Sequence, residues 1–494
     1  MTLTKIWVRV VATVAMLTLV VSACSGSAGD QNVNSQLRDA IDAHGLAGDP
    51  SIGRDLPDIE DPLAQLGMKL FYTKGLGGQQ DSACVTCHHP MLGGGDGLPL
   101  SIGVGAAVPD VLGPDRTHPG GPLVPRNAPT TFNSGMWDEV MFHDGRVESL
   151  GKTPLLNGDD GYGIRTPDRP LGYPGVNAGP NLPAAQSMFP TVSEEEMRGF
   201  DFGTEIGNTG EARNGRVRDL LAQIIGGYGD GKDVLNPNDW PAEFRNAFGS
   251  DVPVDELITY SSIAMALGEY ERSQVFVNTP WRAYVSGDND AMSEEAKHGA
   301  LLFFGEAACS TCHLGDFFTD EDFHVNAIPQ IGVGKDSGTY GDDDWGRYLE
   351  TGRSEDRYAF RTPSLLNVEV TGPYGHDGAY PTLEGIVRHH LNPQKAVEEY
   401  DFGAVDPSIR VGNAERYTQA ALEQLQENRN NGVYTVRDID LSDDQIGQIV
   451  AFMLALTDPC VKNRECLDPW IPDGSISDPD GLRLDGVDAA GETW

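Results

Sequence analysis

Residues 66–88 read LGMKLFYTKGLGGQQDSACVTCH, and residues 298–313 read HGALLFFGEAACSTCH. Each stretch carries an apolar helical run containing Leu-Phe, a glycine-containing turn, and then Cys-x-x-Cys-His. One unit present twice predicts two similar domains. With 7 cysteines and 11 histidines in 494 residues, chance would give roughly two such motifs per thousand chains of this composition. The spacing suits covalent haem: two thiols add across the vinyl groups at one porphyrin edge, and the adjoining imidazole reaches the iron. Zinc would want a second ligand pair, and neither motif has one close by in the chain. A thioredoxin-like dithiol has no use for the histidine. The motifs therefore predict two covalent haems c, one on Cys84, Cys87 and His88, the other on Cys309, Cys312 and His313.

The N-terminus, MTLTKIWVRVVATVAMLTLVVSAC, has Lys5 and Arg9 ahead of an apolar run from Val10 to Val21 and small residues before Cys24. The run falls short of the roughly 20 residues that span a bilayer. It resembles a bacterial lipoprotein signal over residues 1–23, with Cys24 the acylated first residue of the mature chain on the periplasmic side of a membrane. A net charge of −39 disfavours nucleic acid, which needs clustered Lys and Arg. It suits a solvated acidic surface or the steering of a basic partner. In an oxidising compartment Cys460 and Cys466, in PCVKNREC, are expected to form a disulfide.

Residues 24–60, rich in Ser, Gly, Asp and Asn, are expected to be a tether with one short helical stretch over Leu37–Ala47. Helical periodicity marks Val217–Ile225 and Asp255–Tyr270. Ser442-Asp443-Asp444-Gln445 is a capping box opening a further helix. Sixty Gly and 32 Pro call for long loops, of which Asn157–Pro183 is the clearest. The expectation is a mainly α fold: two cytochrome c-like haem domains, residues 61–285 and 286–460, with long irregular loops and a tail over 461–494.

The motifs GGGDGLPLSIG (93–103), PRNAPTTFN (125–133), FHDGRVESL (142–150), PTVSEEEM (190–197) and FRTPSLLNVEVTGPYGHDGAYPTLEGIV (360–387) together resemble the bacterial dihaem cytochrome c peroxidase family, including its MauG-like branch, over about residues 61–457. The resemblance implies that the N-terminal haem reacts with peroxide and the C-terminal haem relays electrons. In many peroxidases a histidine after the SIG sequence ligates the N-terminal haem at rest. Val104 stands there, and valine cannot bind iron, so the resemblance implies an open iron above His88. His118, in an inserted loop, is the alternative ligand. Gln186, Pro190 and Glu196 match the residues over the open face, with Glu196 as acid/base, and Phe142 would line the same pocket. By composition alone Glu194–Glu196 read as an acidic helix start.

For the second haem the resemblance points to His390, which shares a helical stripe with Leu383 and Ile386, while His389 is expected to point aside. No methionine lies between Ser364 and Glu423. A structural calcium would be held by the Asn127 side chain and the Thr371 and Pro373 carbonyls. His143 replaces the family's relay tryptophan, leaving direct tunnelling or Trp137. These features imply a peroxidase reducing hydrogen peroxide with electrons from a small cytochrome c or cupredoxin. The alternatives are MauG-like oxidation of aromatic residues in a partner protein, and a dihaem electron-transfer cytochrome with both irons capped.

Overall fold

A computed structural model describes residues 33–494 apart from 122–123, 204–210, 336–340, 410 and 434–436. The signal segment and Cys24 lie outside the described residues. The helices that build the site are α1 (Val33–His44), α2 (Pro62–Tyr72), α3 (Leu182–Gln186), α4 (Glu211–Gly226), α5 (Trp240–Phe248), α6 (Tyr260–Arg272), α7 (Glu294–Phe304), α8 (Leu383–Leu391), α9 (Ala414–Asn430) and α10 (Asp443–Leu454). Two short antiparallel ladders pair β1 (Val140–Met141) with β2 (Val147–Glu148), and β3 (Phe323–Val325) with β4 (Ala359–Arg361). The fold is mainly helical, as the sequence predicts.

Two cores organise it. The first joins α2, α4, α5 and α6 through side chains such as Phe71, Leu221, Phe244 and Ile263. The second joins α1, α7 and α10 around Trp281, Phe303 and Phe452. The repeated sequence unit explains their likeness. A Cβ on Gly67 of α2 would stand 1.9 Å from the Ala266 carbonyl oxygen of α6, and one on Gly299 of α7 would stand 1.8 Å from the Gln448 carbonyl oxygen of α10. Both helix pairs thus cross with backbone against backbone, which only glycine permits. One turn on, at i+4, Phe71 and Phe303 share the glycine's face. Each helix then leads into a tight 3₁₀ turn that carries the cysteines, Cys84–Thr86 or Cys309–Thr311.

The capping box forms as read: the Ser442 side chain accepts from the Gln445 amide, and Gln445 accepts from the Ser442 amide at 3.0 Å. The Asp255–Tyr270 helix is instead broken at Ile258 and restarts behind a Thr259 cap. Three boundaries also differ from expectation. The tether expected over 24–60 is a docked segment from Val33 onward, because Leu37 and Ile41 form an i,i+4 apolar stripe buried in the second core. Arg38 covers the Tyr284 ring at 4.4 Å, and Asp316 accepts from the Ala47 and Gly48 amides. Val277, Trp281 and Tyr284 also belong to the second core, although the expected boundary at 285 groups them with the first repeat. The tail over 461–494 returns to the first domain: Leu484 enters its core, and Asp480 accepts from Trp240 Nε1 at 2.7 Å and Thr73 Oγ1 at 2.8 Å. Cys460 and Cys466 are bonded, with Cα atoms 5.3 Å apart, stapling the chain as it leaves the second core.

A buried ion cluster clamps the domains together. Arg126 donates to both Asp344 oxygens at 2.6 and 2.8 Å and to Asp144 at 2.6 Å. Lys335 reaches Asp144 at 3.0 Å and Glu350 at 3.2 Å. Burial pushes the Asp344 carboxyl up, and the Arg126 guanidinium more than offsets this, holding it below its ordinary 3.8.

Asp344→Asn is expected to cost about 3 kcal/mol at pH 7, since it breaks a buried pair and leaves Arg126 undercompensated. The depressed pKa makes this contribution full above the ordinary 3.8 and lost as pH falls through the lowered folded-state value, so the gap between variant and parent in chemical unfolding should shrink progressively as pH drops below 3.8. Gly299→Ala is expected to force α7 off α10, at about 1–3 kcal/mol, with a lower thermal midpoint and reduced loading of the second haem.

Candidate active site

One continuous cavity, about 2160 Å³ of atom-free space counted out to its solvent mouth, runs between the two repeats; His88 of the first motif and Cys309, Cys312 and His313 of the second line it. Cys84, Cys87, Cys309 and Cys312 are all unbonded. His88 Nδ1 lies 3.1 Å from the Gly94 carbonyl, and His313 Nδ1 lies 3.0 Å from the Phe318 carbonyl. A ring held through Nδ1–H leaves Nε2 as the free lone pair a metal needs. Burial keeps both rings neutral: it lowers the His88 pKa, and it lowers His313 to about 4 with help from nearby His390. Free thiol pairs, neutral pinned imidazoles and a large cavity fit two haems c.

On α8, Thr382 caps the first turn through the Gly385 amide at 3.1 Å, and the adjacent histidines at its far end are used differently. His390 lines the cavity, its Nδ1 sits 2.9 Å from the Ile386 carbonyl, and burial lowers its pKa. His389 is fully buried between the Tyr380 hydroxyl at 2.7 Å and the Asn326 carbonyl at 2.6 Å. Both nitrogens of His389 are therefore engaged, and it faces the interior rather than aside.

Around the first motif, Gln186 and Phe142 line the cavity, and Pro190, Glu196, Cys84 and Cys87 are not among its lining residues. Phe142 has φ 66°, a strained backbone for a bulky residue. Its ring lies 3.5 Å beneath the Arg146 guanidinium, and Arg146 Nη2 stands 3.9 Å from Glu196. Glu196 sits in a single π turn, Glu194–Arg198, entered from the short Pro190–Val192 turn and capped by Ser193. Such turns are frequent at functional sites. Burial raises the Glu196 pKa; Arg146 opposes this and Glu195 adds to it. The charge of Glu196 is felt at the Cys87 thiol, which burial, Asp96 and Glu196 push up.

The glycine-rich loop is fastened to this turn. The Val104 amide donates to the Glu195 carbonyl at 3.2 Å, and a Cβ on Gly103 would stand 2.4 Å from the Glu196 carbonyl oxygen. Val104 is buried. His118 lies outside the cavity, its ring against Gly105 and its Nδ1 accepting from the Gly120 amide at 3.0 Å.

Other cavity residues connect the repeats. His143 Nε2 lies 3.0 Å from the Asn127 carbonyl, and burial, followed by Arg126, lowers its pKa to about 4. Trp137 packs against Phe317 at 4.8 Å and under the Arg361 guanidinium at 3.6 Å. Asn127, Thr371 and Pro373 also line the cavity, and Asn127 spends its Nδ2 on the Leu98 carbonyl at 2.7 Å, leaving Oδ1 to act as an acceptor. Arg146, Arg361 and Glu271 were not singled out from the sequence. The two arginines lie inside quoted motifs, DGR and FRTP, but Glu271 reads as half of an exposed Glu-Arg pair.

The family described as di-haem cytochrome c peroxidase matches residues 61–290. The methylamine utilization protein MauG of Methylorubrum extorquens is 28% identical over 326 residues, 66% of this chain and 67% of that protein. The cytochrome c551 peroxidase of Pseudomonas aeruginosa is 25% identical over 336 residues, 68% of this chain and 73% of that protein. Among solved structures, the diheme peroxidase BthA of Burkholderia thailandensis aligns with a TM-score of 0.53 at 17% identity, covering 88% of this chain and 92% of that one. A MauG-like protein associated with microbial copper homeostasis aligns with a TM-score of 0.51 at 21% identity, covering 86% and 97%. The paired motifs, the two-core fold and these likenesses agree: residues 61–290 match the di-haem cytochrome c peroxidase family, and the chain as a whole is similar to its members.

Proposed function

We propose that the protein is a dihaem c-type peroxidase that reduces hydrogen peroxide to two waters, drawing two electrons from a small redox protein and two protons from solvent. One observation carries this reading: an acid/base candidate sits beside the first motif, and the loop position next to it carries a valine where many peroxidases have a ligating imidazole. Val104 occupies the loop position beside the Glu196 turn, and His118 lies outside the cavity with one nitrogen engaged. Haem at His88 would supply the iron that binds peroxide and the electrons that cleave it.

The chain's own residues manage protons and position. Glu196, ionised, takes the proton from the near peroxide oxygen and returns it to the far one, so that water is the leaving group. Gln186 orients the peroxide, and Phe142 and Pro190 shape its pocket. Arg146 supports the ionised Glu196. His313 and His390 would hold the second haem, which would supply storage and relay of electrons. Asn127 Oδ1 and the Thr371 and Pro373 carbonyls are the oxygens that would hold a calcium ion. Cys24 would carry the lipid that keeps the enzyme on the periplasmic side of a membrane. A second reading, peroxide-dependent oxidation of aromatic residues on a partner protein, draws support from Val104 and from the missing axial methionine. It predicts a co-expressed protein whose aromatic side chains gain oxygen or cross-links in the presence of peroxide.

Resting ferric protein is expected to show one five-coordinate high-spin haem by electron paramagnetic resonance. Two low-spin signals that persist after one-electron reduction would overturn the peroxidase reading. Glu196→Gln is expected to slow peroxide consumption by about 10²–10³-fold with the resting spectrum unchanged. In the parent the rate should fall with acid as pH drops through the raised Glu196 pKa, and the variant should lack that limb. His390→Ala is expected to convert the second haem from low to high spin, because both nitrogens of His389 are already committed.

A further inference from the structure

Residues 270–272 at the end of α6 point three ways. Tyr270 packs on Phe71 at 4.9 Å. Arg272 turns outward to Glu269 and the Asp55 carbonyl. Glu271 turns inward: it is 6% exposed and lines the cavity alongside His88. Its surroundings are otherwise uncharged. The titratable groups that feel its charge are Tyr270 on its own helix and Cys84 of the first motif. Tyr270 stays protonated, Cys84 becomes a thioether once haem is attached, and His88 is neutral. Among the described residues no cation offsets the Glu271 carboxylate, and burial alone pushes its pKa up to about 8.

A buried unpaired carboxylate is costly, and an electron arriving in the same low-dielectric space makes it costlier, because like charges there are poorly screened. A proton on the carboxyl removes the repulsion. We propose that Glu271 takes up a proton when the haem on Cys84, Cys87 and His88 gains an electron, and releases it when the electron leaves. The step balances: one electron enters from the reductant, one proton enters from solvent, and Glu271 passes from carboxylate to carboxylic acid. Glu271 is on this account a positioning residue for charge and does not touch peroxide. The inference rests on the haem alone and stands whether or not the peroxidase reading does.

The test is an electrochemical titration of the full-length, haem-loaded protein between pH 6 and 10, with each haem followed by its own ferric resonance signal. The midpoint potential of the first haem should fall as pH rises through the region where Glu271 ionises. The slope should approach about 59 mV per unit, the tenfold change per unit of a one-electron couple. Glu271→Gln should flatten that slope and leave the second haem unchanged. A flat parent, or an undiminished slope in the variant, overturns the proposal. Covalent haem content and thermal unfolding establish that the variant is loaded and folded. If it is not, Glu271→Asp takes its place, for which a displaced pH window supports the proposal and an unmoved one overturns it.

Discussion

Everything in this protein is hung on two helix crossings that lack a side chain. Gly67 against Ala266 and Gly299 against Gln448 bring helices to backbone contact. A helix pair that close leaves no room for alternative rotations, since a one-residue turn would drive a Cβ into a carbonyl oxygen. The phenylalanine one turn later is thereby aimed at the site: Phe71 stands 6.5 Å from the His88 ring, and Phe303 lines the cavity. The cysteine turns follow within a short tether. The repeat is thus a device for placing a metal-binding motif, and the rest of each domain is packing around it.

The second constraint is the hydrogen bond behind each histidine. Imidazole can offer only one free lone pair while neutral, and which nitrogen keeps it is settled by the partner of the other. His88, His313 and His390 each present Nδ1 to a backbone carbonyl. His389, next in sequence to His390, is engaged at both nitrogens. The contrast separates two neighbouring histidines that composition alone treats alike. It also explains why burial is useful here, because a ring kept neutral by desolvation does not lose its lone pair to a proton.

Legibility in the sequence followed the range of the interaction. The CxxCH pairs, the capping box at Ser442, the α4 helix and the long loop before Leu182 depend on neighbours a few residues away, and all could be read. The docking of α1 and the return of the tail could not. Leu37 and Ile41 are a modest stripe in a polar segment, and nothing near Asp480 announces that its carboxylate will meet Trp240 and Thr73, which lie hundreds of residues earlier. Glu271 was hidden for a related reason: an acidic residue beside an arginine at a helix end reads as solvated, and only the packing of α6 on α2 turns it inward. The clamp at Arg126 belongs to the same class. Its two aspartates come from different domains, and the lowering of the Asp344 pKa by Arg126 exists only once the domains meet.

The region between the motifs bears on how electrons cross. His143 is held neutral with its Nε2 at the Asn127 carbonyl, and an imidazole so placed is a poor station for a hole. Trp137 would be the better one by chemistry, but the Arg361 guanidinium lies 3.6 Å over its ring. A cation on that face stabilises the neutral indole through its quadrupole and opposes the positive charge that oxidation would put there. Arg361 is itself buried and anchored by its Nε to the Phe142 carbonyl at 2.9 Å, so it cannot swing away without uncovering an unpaired charge. Both candidate stations are therefore raised in energy by their fixed surroundings. Transfer in a single step across the shared cavity is the route that these fixed charges leave least obstructed.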